Sequence, residues 1–304
     1  MMDFLPQGVR LAVSPLSWTN DVLHDLGGDT PIETCLSEAA QAGYQGVELG
    51  RLFPRDSAAL RPLLERHGLA LASGWYSGEL AERDVAAERE AARDHAALLK
   101  AMGCEVMVYG EVARMAGDAP LDAPMSGRLR IDDAAAYARR LTEFAAWLAG
   151  EYGLRLAYHH HLMMVAETFD EIAGIFDRTG PDVGLLLDTG HAAAAGFDYG
   201  LLLDAFPDRI AHIHLKDMRG EVMARIRDTD ASFNAGVLAG MFTVPGDGVV
   251  DFAPLARFVR DSGWRGWMVV EAEQDPALAP PLPAVTHGLE HIRRTFLATA
   301  ETHA

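Results

Sequence analysis

Eight short runs of apolar residues recur along the chain, at 11–14, 46–49, 69–73, 105–109, 154–158, 183–188, 210–214 and 267–270. Polar residues do not alternate regularly within them, so neither face is built for water, as in the strands of a covered parallel sheet. The stretches between carry a helical period instead. Before Gly153, for example, Tyr137, Leu141, Phe144, Ala145, Leu148 and Tyr152 fall on one face. Gly43, Gly68, Gly103, Gly153, Gly180 and Gly263 each close such a stretch just ahead of a strand, where a helix end favours the left-handed residue that glycine adopts without strain. Strand followed by helix, eight times over, predicts a parallel sheet covered by helices, and in this length a closed (β/α)8 TIM barrel rather than an open sheet. A dinucleotide-binding sheet is disfavoured, because no GxGxxG follows the first strand. No Pro/Gly/Ser linker divides the chain, so 1–304 is expected to form a single domain. The one long interruption, 219–250, is expected to be a strand-to-helix loop over the mouth.

Four of the runs lead into groups that bind cations. The run at 154–158 is followed by His159, His160 and His161, and that at 183–187 by Asp188, with His191 three residues on. The run at 210–214 contains His212 and His214 and continues to Lys216 and Asp217, while 267–270 leads to Glu271 and Glu273. Carboxylate and imidazole donors suit an oxygen- and nitrogen-ligated divalent cation, and a barrel opens all its strand ends onto one mouth. The expected ligands are His159, Asp188, His214 and Glu271. Alternation along a strand turns His159 and His161 to one side and His160 away. By the same rule His212 shares the face of His214, and Glu273 is the alternative to Glu271.

Other polar groups at the strand ends fit a small polyol. Glu48 could receive a hydroxyl, or form an ion pair on the rim; His161, Glu273 and Asp247 are further candidate contacts, although Asp247 within Pro245-Gly246-Asp247-Gly248 also carries a turn signal. Trp18 and Trp75 are candidates for an apolar wall, with plain core packing as the alternative. Lys216 is expected near the cation, whose charge would disfavour its ammonium and free it to act as a base; a salt bridge to Asp217 or Glu271 is the structural alternative. Lys216, His191 and Glu271 are thus the candidate acid–base groups, with no order among them.

Charge and composition narrow the partners. The net charge of −18 argues against nucleic acid or an anionic membrane surface, which basic patches recognise. The densest basic stretch, Arg219 to Arg227, is interleaved with acids and reads as a solvated face. No apolar run is long enough to span a bilayer and no leader pattern precedes the first strand, so a soluble, cytoplasmic protein is expected. Cys35 and Cys104 lack metal-ligand spacing and are expected to be buried, reduced thiols. Self-association into a homo-oligomer is left open.

The motifs LLDTGH, HIHLKD, FTVPGDG and VVEAEQDP, with YHHH on the fifth strand, resemble those of the xylose-isomerase-like barrels and, among them, the inosose dehydratases of myo-inositol catabolism. The resemblance runs from Ser14-Pro15-Leu16-Ser17-Trp18 to Asp275-Pro276. It implies removal of water from a cyclic polyol ketone, 2-keto-myo-inositol, with manganese or cobalt as the metal. Related ketose epimerases carry a metal-binding glutamate on the fifth strand, where this chain has His159. That difference weakens an epimerase reading and suits loss of an α-proton and a β-hydroxyl, with the cation polarising the ketone. A keto-sugar isomerase or epimerase remains the alternative, and a non-catalytic sugar-binding barrel a third reading. A DNA-repair endonuclease is disfavoured by the charge and by the absence of the extra histidines of a three-metal cluster.

Overall fold

The protein is described here by a computed structural model covering residues 4–115 and 121–301. Its centre is a closed barrel of eight parallel strands. These are β1 (Val9–Val13), β2 (Gly46–Leu49), β3 (Ala70–Gly78), β4 (Val106–Glu111), β5 (Arg155–His159), β6 (Val183–Asp188), β7 (Ile210–Leu215) and, after the two short strands β8 (Asp217–Met218) and β9 (Phe242–Thr243), β10 (Gly266–Val270). Neighbours around the barrel follow chain order, with β10 closing it between β7 and β1.

The apolar runs fold this way because each strand buries two faces. Outward residues such as Leu11, Val47, Leu71, Met107, Leu156 and Leu187 join the inner faces of the surrounding helices in one continuous core. Inward residues form two small clusters, one of Val106, Val108, Ala157, Leu186 and Ala211, the other of Ala12, Ala72, Trp267 and Val269. These plug the barrel below its mouth. Two positions beyond Ala157, Leu186 and Val269 come His159, Asp188 and Glu271, which the period of two therefore places on the same inward side. The helix Ala134–Tyr152 buries Tyr137, Leu141, Phe144, Ala145 and Leu148, as its spacing predicts, and Gly153 caps it in the left-handed conformation. Gly180 differs from the other five helix-ending glycines. It has no positive φ; a Cβ there would lie 2.8 Å from the Thr142 methyl, so close approach is what its position requires.

Residues 219–250 are not the plain loop expected. They fold into the helices Gly220–Asp228 and Phe233–Leu238, and β9 returns to pair antiparallel with β8. Val222, Met223, Ile226, Phe233, Val237, Met241 and Phe242 pack with Leu162, Met163 and Met218 in a second apolar cluster, while Arg225 and Arg227 face solvent. Cys35 and Cys104 are free and buried. Among the described residues no helix is long and apolar enough to cross a membrane.

Candidate metal centre

The tips of β5, β6, β7 and β10 bring His159, Asp188, His214 and Glu271 together, each offering a donor atom within 4.8 Å of the others. The pairing of β6 with β7 sets Asp188 directly opposite His214. His214 Nδ1 lies 3.2 Å from Glu271 Oε2 and 3.6 Å from Asp188 Oδ2, and His159 Nε2 is 3.5 Å from the same Asp188 oxygen. All four side chains are buried. Donors held about 2.1 Å from one cation stand roughly 3.0–3.4 Å from one another, so these spacings match the edges of a coordination shell. The bonding supports the same reading. Asp188 Oδ1 accepts the His191 N–H at 2.8 Å, capping the helix Thr189–Ala195, whereas Asp188 Oδ2 and His214 Nδ1 have no hydrogen-bond partner among the described residues. Buried polar atoms without partners are costly, and a divalent cation supplies what both lack. His159 is already oriented for it: Nδ1 bonds the carbonyl of His160 at 2.7 Å, which leaves the Nε2 lone pair toward Asp188.

A second group stands beside the first. Lys216 Nζ lies 2.5 Å from Glu271 Oε1, 3.3 Å from Glu273 Oε1 and 3.0 Å from His191 Nε2, with the Phe242 ring at 4.7 Å. Burial works against its ammonium, but Glu271, Glu273 and Asp188 outweigh that and hold its pKa above the ordinary value. The ion pair to Glu271 given as the structural alternative for Lys216 is therefore present, with Glu273 as a second carboxylate beside it. Burial raises the pKa of Glu273 despite the pull of Lys216. Burial also lowers those of His161 and His191 well below the usual value, with cationic neighbours adding to it. His161 Nδ1 bonds the Leu162 carbonyl at 2.6 Å, and the His161 ring packs 3.8 Å from that of His191.

A cavity of about 480 Å³ opens onto this set. Its polar wall holds Glu48, His159, His161, His214, Glu271 and Glu273; facing it are Trp75, Val108, Val112, Met115, Leu121 and Met164. Lys216 and His191 do not line the cavity and stand behind Glu273 and His161. Trp75 meets His159 and His161 edge-on, with centroids 5.5 and 6.2 Å apart. Trp18 and Asp247 do not join the site. After β1 the chain turns through the single 3-10 turn Pro15–Ser17, and the Trp18 indole, 1% exposed, donates to Glu38 Oε2 at 2.6 Å. Asp247 holds its own turn, accepting from Arg219 at 2.5 Å and from Thr243 at 2.8 Å. His160 faces away as alternation requires, accepting the Asp188 N–H at 3.2 Å.

Several contacts and residues escaped the sequence reading. Glu48 Oε1 lies 3.1 Å from His214 Nε2 and 3.0 Å from His212 Nε2, and it also accepts from Ser73. His212 was visible as the partner of His214 on one face, but nothing in the sequence tied it to Glu48. Asn20, Asp21 and Arg51 line the outer part of the cavity and sit in loops with no motif.

Comparison with known proteins agrees with the geometry. The family model described as xylose isomerase-like TIM barrel matches residues 36–295. MocC, a rhizopine catabolism protein of Rhizobium meliloti, is 47% identical over 292 residues, covering 95% of this chain and 89% of that protein. An inosose dehydratase of Geobacillus thermodenitrificans is 38% identical over 303 residues, covering 96% and 99%. Among solved structures, an IolI protein with a bound zinc atom superposes with a TM-score of 0.63 at 17% identity, covering 94% of this chain and 98% of that one. A D-allulose 3-epimerase from Methylomonas sp. does so at 0.65 and 20%, covering 96% and 98%. At such identities these two structures establish shared fold alone. The closed barrel and these full-length matches together establish that the chain belongs to the xylose isomerase-like TIM-barrel family, with inosose dehydratases among its relatives.

Proposed function

We propose that this chain is a metal-dependent hydro-lyase that removes water from 2-keto-myo-inositol, with Mn2+ or Co2+ held by His159, Asp188, His214 and Glu271. The observation that carries the reading is the pairing of a buried four-donor set with a cavity that presents an imidazole, His161, and a carboxyl, Glu273, from outside that set to the same space. Full-length similarity to inosose dehydratases supports the substrate class. When bound, the cation supplies Lewis-acid polarisation of a ketone oxygen.

The remaining steps fall to side chains. Burial keeps His161 neutral, so its ring can take the proton α to the ketone, and the released electron pair forms the new C=C bond as the β C–O bond breaks. Burial favours the protonated carboxyl of Glu273, which can give its proton to the departing hydroxyl, so that water leaves. Lys216 holds Glu271 and Glu273 in place from behind. The Trp75 side of the cavity offers an apolar surface to the carbon face of the ring and excludes water. Epimerisation by two metal-bound carboxylates on opposite faces is disfavoured because β5 contributes His159.

The test is mass spectrometry of 2-keto-myo-inositol after incubation with the Mn2+-loaded protein. A product lighter by one water is expected. Conversion at unchanged mass would replace this reading with a keto-sugar isomerase or epimerase.

A further inference from the structure

Glu48 is the penultimate residue of β2, and its carboxylate reaches across the barrel interior to β7, past the intervening β1 and β10. One of its oxygens, Oε1, gathers three donors: His214 Nε2 at 3.1 Å, His212 Nε2 at 3.0 Å and the Ser73 hydroxyl. An ionised carboxylate only accepts, so both rings must carry their proton on Nε2. With Nε2 of His214 committed to Glu48, Nδ1 is the nitrogen left to ligate a cation. That atom is the one found without a hydrogen-bond partner, 3.2 Å from Glu271 Oε2.

We propose that Glu48 is a positioning residue for the cation site: by accepting the Nε2–H of His214 it fixes that ring's tautomer and angle, so that Nδ1 is presented as the ligand. The inference rests on the metal part of the proposed function and not on the identity of the substrate. It changes the role expected for Glu48 from its place at a strand tip, where a direct bond to a substrate hydroxyl was the candidate. Carboxylate–imidazole–metal arrangements raise the basicity of the ligating nitrogen, and their loss costs about 10- to 100-fold in metal affinity. Ser73 and His212 orient the carboxylate itself. Their removal leaves the bond to His214 in place and should matter less.

The experiment measures Mn2+ dissociation constants by chelator competition, without substrate, for the wild type, Glu48→Gln and Ser73→Ala. Glu48→Gln is expected to weaken Mn2+ binding by about 10- to 100-fold, and Ser73→Ala by less than a few-fold. At saturating Mn2+, the KM of Glu48→Gln for the ketone should stay near the wild-type value. Wild-type Mn2+ affinity in folded Glu48→Gln, accompanied by a raised KM, would overturn the proposal and return Glu48 to the substrate. If Glu48→Gln fails to fold, Glu48→Asp takes its place, since it keeps the charge but withdraws Oε1 by one methylene. At least tenfold weaker Mn2+ binding is then expected, and wild-type affinity overturns the proposal. A wild-type protein that binds neither Mn2+ nor Co2+ would overturn the metal reading itself, whereas metal binding without dehydration of the ketone would leave Glu48 in this role and remove only the substrate.

Discussion

Asp188 and Asp217 are both fully buried at the mouth of the barrel, yet they are satisfied in opposite ways. Asp217 accepts four backbone N–H groups: Met218 and Val250 on Oδ1, Gly246 and Gly248 on Oδ2, at 2.8 to 3.1 Å. The glycines are what let the backbone close on it, since a Cβ on Gly248 would lie 2.2 Å from Asp217 Oδ1 and Gly246 takes φ +90°. Asp188 accepts one backbone N–H and keeps Oδ2 without a hydrogen-bond partner, facing His159 and His214. Burial pushes both carboxyls up. At Asp217 neutral backbone donors only partly offset this, whereas at Asp188 the neighbouring His191 and Lys216, with His159 and His214, reverse it. A carboxylate saturated by its own backbone is a structural fastener. One buried equally deeply but left short of donors is kept for a ligand.

Substitution should separate the two. Asp188→Ala is expected to abolish stoichiometric Mn2+ binding while the protein stays folded, because the only backbone hydrogen bond of the carboxylate among the described residues is the cap of one short helix. Metal analysis on variant protein with an unchanged near-ultraviolet circular dichroism spectrum checks this, and undiminished stoichiometry would remove Asp188 from the ligand set. Asp217→Ala should do the reverse. Four N–H groups lose their acceptor, and with partial rescue by water the cost is about 3–5 kcal/mol of stability. Mn2+ binding should persist, and limited proteolysis should cut first within 219–250. Denaturant unfolding that leaves Asp217→Ala within about 1 kcal/mol of the wild type would show that the fastener is dispensable.

The convergence of the four candidate ligands was legible in the sequence because it depends on only two regularities, the two-residue period of a strand and the shared mouth of a barrel. His159, Asp188 and Glu271 each follow a buried apolar run directly, His214 lies within one, and strand register did the rest. The rule stops where the strand stops. Trp18 lies beyond the end of β1, and one 3-10 turn carries its indole to Glu38 instead of the mouth. Asp217 read as a possible salt-bridge partner of Lys216, although adjacent strand residues face opposite ways and three of its four partners lie about thirty residues on, in and after a turn whose Asp247 had the more visible signal. The helices Gly220–Asp228 and Phe233–Leu238 are short, nine and six residues, and the first is rich in arginine, so their apolar positions were too few to show a period. Glu48 sat at a strand tip as expected, but its bond to His214 spans the barrel, and no local pattern encodes that.

Lys216 belongs to the same contrast, since its ammonium is the built-in cation of the Asp188 side. It acts through Glu271 and Glu273 and does not line the cavity. Lys216→Met should therefore keep bound Mn2+ and leave KM nearly unchanged while kcat falls by roughly two orders of magnitude or more, the scale of acid–base catalysis. Turnover within a few-fold of the wild type would make the lysine a structural counter-charge only.

The smallest expected effect comes from a third buried carboxyl, intermediate between the other two. Glu111, at the end of β4, accepts from Ala81 N and the Tyr109 hydroxyl on Oε2 and from Ala113 N on Oε1, at 2.9 to 3.0 Å, with no cationic partner among the described residues. Burial raises its pKa from 4.5 to about 7, and these neutral donors only partly oppose the shift. The folded protein therefore holds a proton at Glu111 that the unfolded chain releases near pH 4.5. Between about pH 4.5 and 7 the native state binds more protons than the unfolded state, so this group's contribution to stability is full below that window and declines as pH rises through it. Its size is of the order of 1–3 kcal/mol. Glu111→Gln cannot titrate, so the stability difference between wild type and variant should shift in the variant's favour by that amount from pH 5 to pH 8, with urea unfolding of Mn2+-loaded protein as the measurement. Parallel stability profiles for the two proteins across that range would mean that Glu111 stays ionised, and that neutral donors alone can hold a buried carboxylate in this barrel.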